Sequence, residues 1–229
     1  MQDAIINLLI FCLIIYIFWL SVDYRIIFLW KVTNLKNPKG DRRIRRTQKM
    51  LKESLVELMS QKAFKDITIK DITERADLNR GTFYLHYSDT YELLMSMEND
   101  VLDDFQEMID TYLMTQPGNS AMPILVPVVH YIVENEEICR NLFENDASHD
   151  FNNKFKTLVH KNGGALLGRL FPMSTTVNSN YFLAFVTSGL IGVIKKWLDD
   201  GMIQTEEEIA KIGNEAVLSM ARAFFTAPA

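Results

Sequence analysis

The 229-residue chain is 48% hydrophobic and 23% charged, which excludes wholesale disorder and allows one large domain or two modest ones with a substantial core. Two distant cysteines, Cys12 and Cys139, cannot build a disulfide framework or a CxxC metal site, and six prolines and ten glycines favour helix. The formal net charge of -5 hides an uneven spread: residues 41–90 carry 11 Lys+Arg against 8 Asp+Glu, and residues 91–229 carry 9 against 19. A basic block ahead of an acidic body suggests that the block meets a polyanion; a merely solvated basic helix face is the competing explanation.

The first forty residues stand apart. AIINLLIFCLIIYIFWLSV (4–22) is 19 uncharged residues between Asp3 and Asp23, long and apolar enough for a transmembrane helix. It is a poor secretory signal, with an acid where a basic stretch belongs and no small-residue cleavage site. Arg25, Lys31, Lys36, Lys39 and the arginines beyond would keep everything downstream on the cytoplasmic side of an inner membrane. The competing expectation is that residues 1–31 are not part of the working, cytoplasmic protein. Their Ile, Leu, Phe, Asn and Tyr bias is that of translated AT-rich non-coding sequence, and Val32 opens a stretch that reads as the start of a soluble chain.

From residue 41 the pattern is helical throughout, an all-α chain. DRRIRRTQKMLKESLVELMSQKAF sets Ile44, Met50 or Leu51, Leu55, Leu58 and Met59 at helical spacing, with Arg42, Arg43, Arg45 and Arg46 in its first turns. A second helix follows an N-capping Thr68 and buries Ile69, Ile72 and Ala76. A break at 76–78 leads to a third short helix capped by Asn79, and Ser88 or Asp89 caps a long helix to about Leu113. After the TQPGNS turn cluster, helices are expected at 121–134, 136–146, 149–170, 178–200 and 205–226. Gly201 fits a helix stop, Thr205 with Glu208 fits a capping box, and Gly163–Gly164 fits a bend. The division expected is an N-terminal segment (1–40), a three-helix helix-turn-helix head (41–88) and a larger helical body (89–229).

NRGTFYLHY (79–87) is where function concentrates. On a helical wheel Phe83 and Tyr87 fall together as a core-facing i,i+4 pair, leaving Gly81, Thr82 and Leu85 opposite, flanked by Tyr84 and His86. That outward face suits a DNA major groove. Gly81 permits close approach, Leu85 can touch a thymine methyl, Arg80 can reach a guanine or a phosphate, and Tyr84 and His86 can donate to phosphates. Thr68 and Lys70 would face the backbone or groove edge, and Arg42, Arg43, Arg45 and Arg46 would supply salt-dependent attraction. A helical hairpin whose aromatics are all core is the plainer alternative.

TIKDITERADLNRGTFYLHYSDTYELL (68–94) resembles the DNA-binding signature of the TetR/AcrR family of bacterial transcription regulators. The matching run is Gly81-Thr82-Phe83-Tyr84-Leu85-His86-Tyr87, behind a Thr that opens the second helix. The resemblance covers residues 41–94 and implies a ligand-responsive regulator, a repressor that binds a near-palindromic double-stranded operator as a homodimer. Carried over by position, Thr68, Lys70, Arg80, Gly81, Thr82, Tyr84, Leu85 and His86 are its DNA contacts, with Asn79 at the head of the helix. Three residues depart from the pattern: Asp77 stands in place of a turn Gly, Asn79 in place of a common Ser, and Thr90 where a phosphate-binding Lys is frequent.

In the body, Ala184, Ser188 and Gly192 recur every four residues and suit close packing across a dimer, or between helices of one chain. The family resemblance implies a small-molecule effector, and Phe105, Tyr112, His130, Tyr131, Phe143, Phe155 and Phe182 are candidate pocket residues that sequence cannot separate from plain core. His130, His149 and His160 lack metal-ligand spacing and Cys139 lacks a resolving partner, so no metal or cofactor is expected. No nucleophile elbow, phosphate loop or HExxH motif suggests an enzyme. Two further readings stay open: a membrane-tethered regulator of the same family, if 4–22 is genuine, and a helical ligand-binding or interaction protein that does not bind DNA.

Overall fold

The computed structural model describes residues 39–114, 120–144, 149–171 and 179–225. The apolar segment 4–22, the start proposed at Val32 and most of the TQPGNS turn lie outside the described residues. Among the described residues there is no strand. The helices are α1 (Lys39–Met59), α2 (Ile69–Arg75), α3 (Arg80–Tyr84), α4 (Thr90–Leu113), α5 (Met122–Glu134), α6 (Glu136–Glu144), α7 (His149–Leu170), α8 (Ser179–Asp199) and α9 (Glu206–Phe225), with a 3-10 turn at Phe64–Asp66.

The backbone divides into two compact units, residues 1–48 and 49–229. The described part of the first is the start of α1. Arg42, Arg43, Arg45 and Arg46 are all exposed there, and so is Ile44, so the buried stripe of α1 begins later than the spacing suggested.

Within the second unit, Leu51 and Leu55 of α1, Ile72 of α2 and Phe83 of α3 are fully buried against Leu93 and Met97 of α4. The same core continues through Val129, Ile132, Leu142, Trp197 and Leu198, so α4 carries one apolar interior from the helix-turn-helix into the body. A second cluster gathers Tyr112, Leu167, Leu170, Phe182 and Val217 between α4, α7, α8 and α9. α9 packs on α5 and α8, and α7 on α4 and α8.

The helix boundaries follow local chemistry. Thr68 accepts from the Asp71 amide while the Asp71 carboxylate accepts from the Thr68 amide, a reciprocal box that starts α2. Asp89 accepts from the Glu92 amide at 2.8 Å and starts α4. Thr205 and Glu208 form the same kind of box at the head of α9. α8 closes on Gly201 at φ 76°, with the Met202 amide donating to Trp197 C=O and the Gly201 amide to Leu198 C=O.

α7 runs unbroken through Gly163 and Gly164, which corrects the bend read from the glycine pair. Gly163 is instead where Leu183 of α8 comes closest: a Cβ there would overlap Leu183 Cδ1. α8 is long and apolar enough to cross a membrane by length and composition. Its Phe182, Leu183, Thr187 and Ile191 are buried, and the rest of that apolar stretch is mostly exposed or half-buried.

Candidate nucleic-acid interface and cavity

The α2–α3 turn is set by the end of α2. Asp77 takes up the left-handed conformation at φ 51°, its amide donates to Glu74 C=O at 3.3 Å, and the Leu78 amide donates to Thr73 C=O at 2.9 Å. This paired closure of a helix end favours glycine at the left-handed position, and Asp is among the residues that tolerate it at a cost. Asn79 then caps α3, its Oδ1 accepting from the Gly81 amide at 2.7 Å. A Cβ at residue 81 would sit 3.3 Å from that same oxygen, so the glycine protects the cap as well as thinning the helix surface.

α3 is shorter than the 80–87 expected: its α-helical turns end at Tyr84, and the His86 and Tyr87 amides both donate to Phe83 C=O at 2.9 Å. The division of faces is nonetheless the one on the wheel. Phe83 and Tyr87 are buried, whereas Tyr84 is 59% and Leu85 81% exposed. Arg80 and Gly81 are exposed, and Thr82 and His86 half-buried at the flanks. Tyr84 and Leu85 thus leave most of their surface in water, although the Tyr84 ring keeps an edge contact with buried Phe83 at 5.8 Å.

The supports of this face are ionic. Asp71 accepts from Lys62 Nζ at 2.7 Å and from the Thr68 hydroxyl at 2.8 Å, and the Lys62 hydrogen bond, followed by those from Thr68, holds its carboxyl well below the usual range. Thr68 is exposed, yet its hydroxyl proton is committed to Asp71. Arg75 of α2 reaches Glu57 of α1 at 2.8 Å, and exposed Lys70 lies 3.7 Å from Glu74. The Lys62–Asp71 and Arg75–Glu57 pairs join different elements and could not be read from sequence spacing, whereas Lys70–Glu74 is an ordinary i,i+4 pair.

Under α8 lies a cavity of about 160 Å³. Of the pocket candidates, Phe105, Tyr112, Phe143, Phe155 and Phe182 line it. His130 and Tyr131 do not. His130 is on the surface, 3.0 Å from Glu206 and 3.5 Å from Glu134, because its position on α5 faces α9's acidic first turn. Tyr131 lines a separate acidic cleft with Asp100, Asp104 and Glu134, and its hydroxyl donates to Asp104 at 2.9 Å.

Sequence reasoning missed the aliphatic majority of the cavity wall, including Leu125, Val186 and Leu190, and missed Thr187. It also missed the buried Glu98 of α4, which accepts from Lys154 Nζ of α7 at 2.8 Å. Cys139 is buried, and burial pushes its thiol up to about 12, far from the reactive thiolate range. Ala184, Ser188 and Gly192 are exposed along α8, together with Tyr181 (72%) and Phe185 (58%); Ile212, Ala216, Ser219 and Ala223 continue that outward face on α9.

A capped helix-turn-helix joined to a cavity-bearing helical body defines a class of protein, and the comparisons narrow it. The sequence model described as bacterial regulatory proteins of the tetR family matches residues 53–97, and one described as a transcriptional regulator C-terminal region matches residues 119–217. The chain belongs to the TetR family of bacterial transcription regulators.

Among individual proteins, the uncharacterized HTH-type transcriptional regulator YxbF of Bacillus subtilis (strain 168) is 30% identical over 112 residues. That match takes in 42% of this chain and only 29% of the relative's length. A TetR transcriptional regulator from Streptococcus agalactiae 2603V superposes with a TM-score of 0.56 at 20% identity, covering 79% of this chain and 96% of that one. NalD, the secondary repressor of the MexAB-OprM multidrug efflux pump in Pseudomonas aeruginosa, superposes with a TM-score of 0.61 at 16% identity, covering 77% and 96%. At such identities the structural likeness is one of fold.

Proposed function

We propose that the chain is a cytoplasmic, ligand-responsive DNA-binding regulator that acts as a homodimeric repressor on a near-palindromic operator. The observation that carries this is the split of α3: Phe83 and Tyr87 are buried, while Arg80, Gly81, Tyr84 and Leu85 face water on a helix whose entry is fixed by the Asn79 cap. Residues 41–88 serve as the DNA-binding head and 89–229 as the ligand-binding and dimerisation body. Arg80 and Leu85 read base edges; Tyr84, His86, Thr82 and Lys70 meet phosphates or groove walls. Arg42, Arg43, Arg45 and Arg46 supply the salt-dependent attraction. Thr68 and Asn79 act first as caps, since their side-chain oxygens are already engaged.

The exposed apolar and small residues of α8 and α9 support a two-fold helical interface with a second copy, in which Ala184, Ser188 and Gly192 allow close approach and Tyr181 and Phe185 supply buried area. Family membership favours regulation over an enzyme.

The test is a salt-titrated mobility-shift assay with DNA from upstream of the chain's own gene, comparing wild type with Tyr84→Ala. Sequence-selective binding that weakens steeply with salt, and weakens further in the variant, is the expected result. Weak binding without sequence preference in both proteins would remove the recognition-helix assignment.

A further inference from the structure

The cavity wall says which chemistry it accepts. It draws on α4, α5, α6, α7, α8 and α9, and among the described residues no Lys, Arg, His, Asp or Glu lines it. A carboxylate or ammonium placed there would shed its hydration with no counter-charge in reach, and a sugar-like molecule would strand several hydroxyls. The volume is that of a dry apolar cavity able to accept one benzene-sized molecule.

Among the described lining residues, Tyr112 and Thr187 are the two that carry a side-chain hydroxyl. Tyr112 has an interaction within the protein. The Thr187 Oγ1 is shut off from solvent and has no hydrogen-bond partner, although a helical threonine ordinarily donates to the carbonyl one turn back. Buried polar groups in folded proteins are nearly always satisfied, so an orphan hydroxyl at the wall of a void marks where something else belongs.

We propose that this cavity takes a compact, uncharged, predominantly apolar molecule of about the bulk of a substituted benzene ring, held by one hydrogen bond to the Thr187 hydroxyl. The proposal rests on the reading of the chain as a ligand-responsive regulator and specifies the ligand of that same site. Packing gain along the aliphatic wall supplies the affinity, and Thr187 selects among apolar molecules by orienting one polar group.

Three probes test it on the full-length chain: phenol, toluene and benzoate at neutral pH, each titrated while the methyl signals of the cavity residues Leu125, Val186 and Leu190 are followed by NMR. Phenol and toluene should shift those methyls saturably, and benzoate should not. Thr187→Val keeps the side-chain volume and removes the hydroxyl. In that variant phenol should weaken about 3- to 10-fold relative to toluene, and retained toluene binding would show that the variant cavity is intact.

Benzoate binding as tightly as phenol, an unchanged phenol-to-toluene ratio in Thr187→Val, or no cavity shift with either neutral probe would each overturn the proposal. The titration contains no DNA. A chain that shifts operator DNA but binds none of the probes refutes the ligand class and leaves the regulator standing; binding of phenol without any DNA binding refutes the regulator and leaves the cavity assignment.

Discussion

The surroundings of α3 and the interior beneath α8 are built on opposite principles. At the head, polar groups fix geometry: Asp71 holds Thr68 and Lys62, Asn79 holds the Gly81 amide, and Asp89 holds the Glu92 amide. The buried Tyr87 hydroxyl is the exception there. Beneath α8 the wall is aliphatic and aromatic, about 160 Å³ is unfilled, and the Thr187 hydroxyl is unpaired. At about 24 cal/mol per Å³, a void of that size forgoes roughly 4 kcal/mol of packing. A reader of DNA needs its side chains held in one arrangement, whereas a sensor needs an interior whose packing a ligand can complete. On the regulator reading proposed above, a ligand would act only by its preference for one packing over another.

Neighbouring residues 83 and 84 test this division most sharply. Phe83→Ala empties a fully buried site in the head and should cost roughly 3–5 kcal/mol in urea unfolding. Tyr84→Ala, on the exposed face, should stay within about 0.5 kcal/mol of wild type in the same measurement while weakening operator binding. Equal stability losses in the two variants would mean that α3 has no outward face.

The next effect concerns the one buried ion pair described between α4 and α7. Lys154→Met leaves the Glu98 carboxylate buried without its cation and should cost about 3 kcal/mol. The double variant Glu98→Leu with Lys154→Met should recover most of that loss, read from the same unfolding curves.

Legibility in the sequence followed the same division. The head could be read because its determinants are local: Thr68 with Asp71, Asn79 with Gly81 and the Phe83–Tyr87 pair all lie within four residues of one another. Even there, the shortening of α3 to Tyr84 was not visible, since the wheel does not say where hydrogen bonding changes from α-helical to turn. In the body the helices were placed nearly as found, because amphipathic periodicity is also local. The cavity was not, because its wall depends on which apolar faces meet across α4, α5, α6, α7, α8 and α9. His130 and Tyr131 were singled out for residue type and proved to face an acidic surface, whereas Thr187 carried no signal at all. The Glu98–Lys154 pair spans 56 positions, beyond any spacing rule.

The α2–α3 turn offers a smaller effect in the head. Asp77 occupies a left-handed position at φ 51° that glycine adopts without penalty. Asp77→Gly should therefore raise the unfolding free energy by about 0.5–1 kcal/mol. It should leave the proposed DNA contacts unchanged, since the Asn79 cap and the α3 face are untouched. A destabilised variant would show that the Asp77 side chain has a role that its backbone conformation does not disclose.

The smallest effect, and the one that tests the body's electrostatics, is at Asp104. Burial raises its carboxyl above the ordinary value; the Tyr131 hydrogen bond works against that shift, and Asp100, Glu107 and Asp103 add to it. The partner phenol is raised in turn, by burial first and then by the Asp104 charge. A carboxyl raised on folding favours the folded state only while protonated, so above its raised value the ionised group costs stability relative to the unfolded chain. Asp104→Asn removes the charge and keeps an oxygen for the Tyr131 hydroxyl. The variant should melt slightly above wild type at pH 7, and the gap should close as pH falls through the raised carboxyl value and below the ordinary one near 3.8, where wild type is neutral in both states. Thermal unfolding of the two proteins across that range is the measurement. A gap that widened toward acid would mean that the Tyr131 hydrogen bond outweighs burial and that Asp104 is stabilised as a carboxylate.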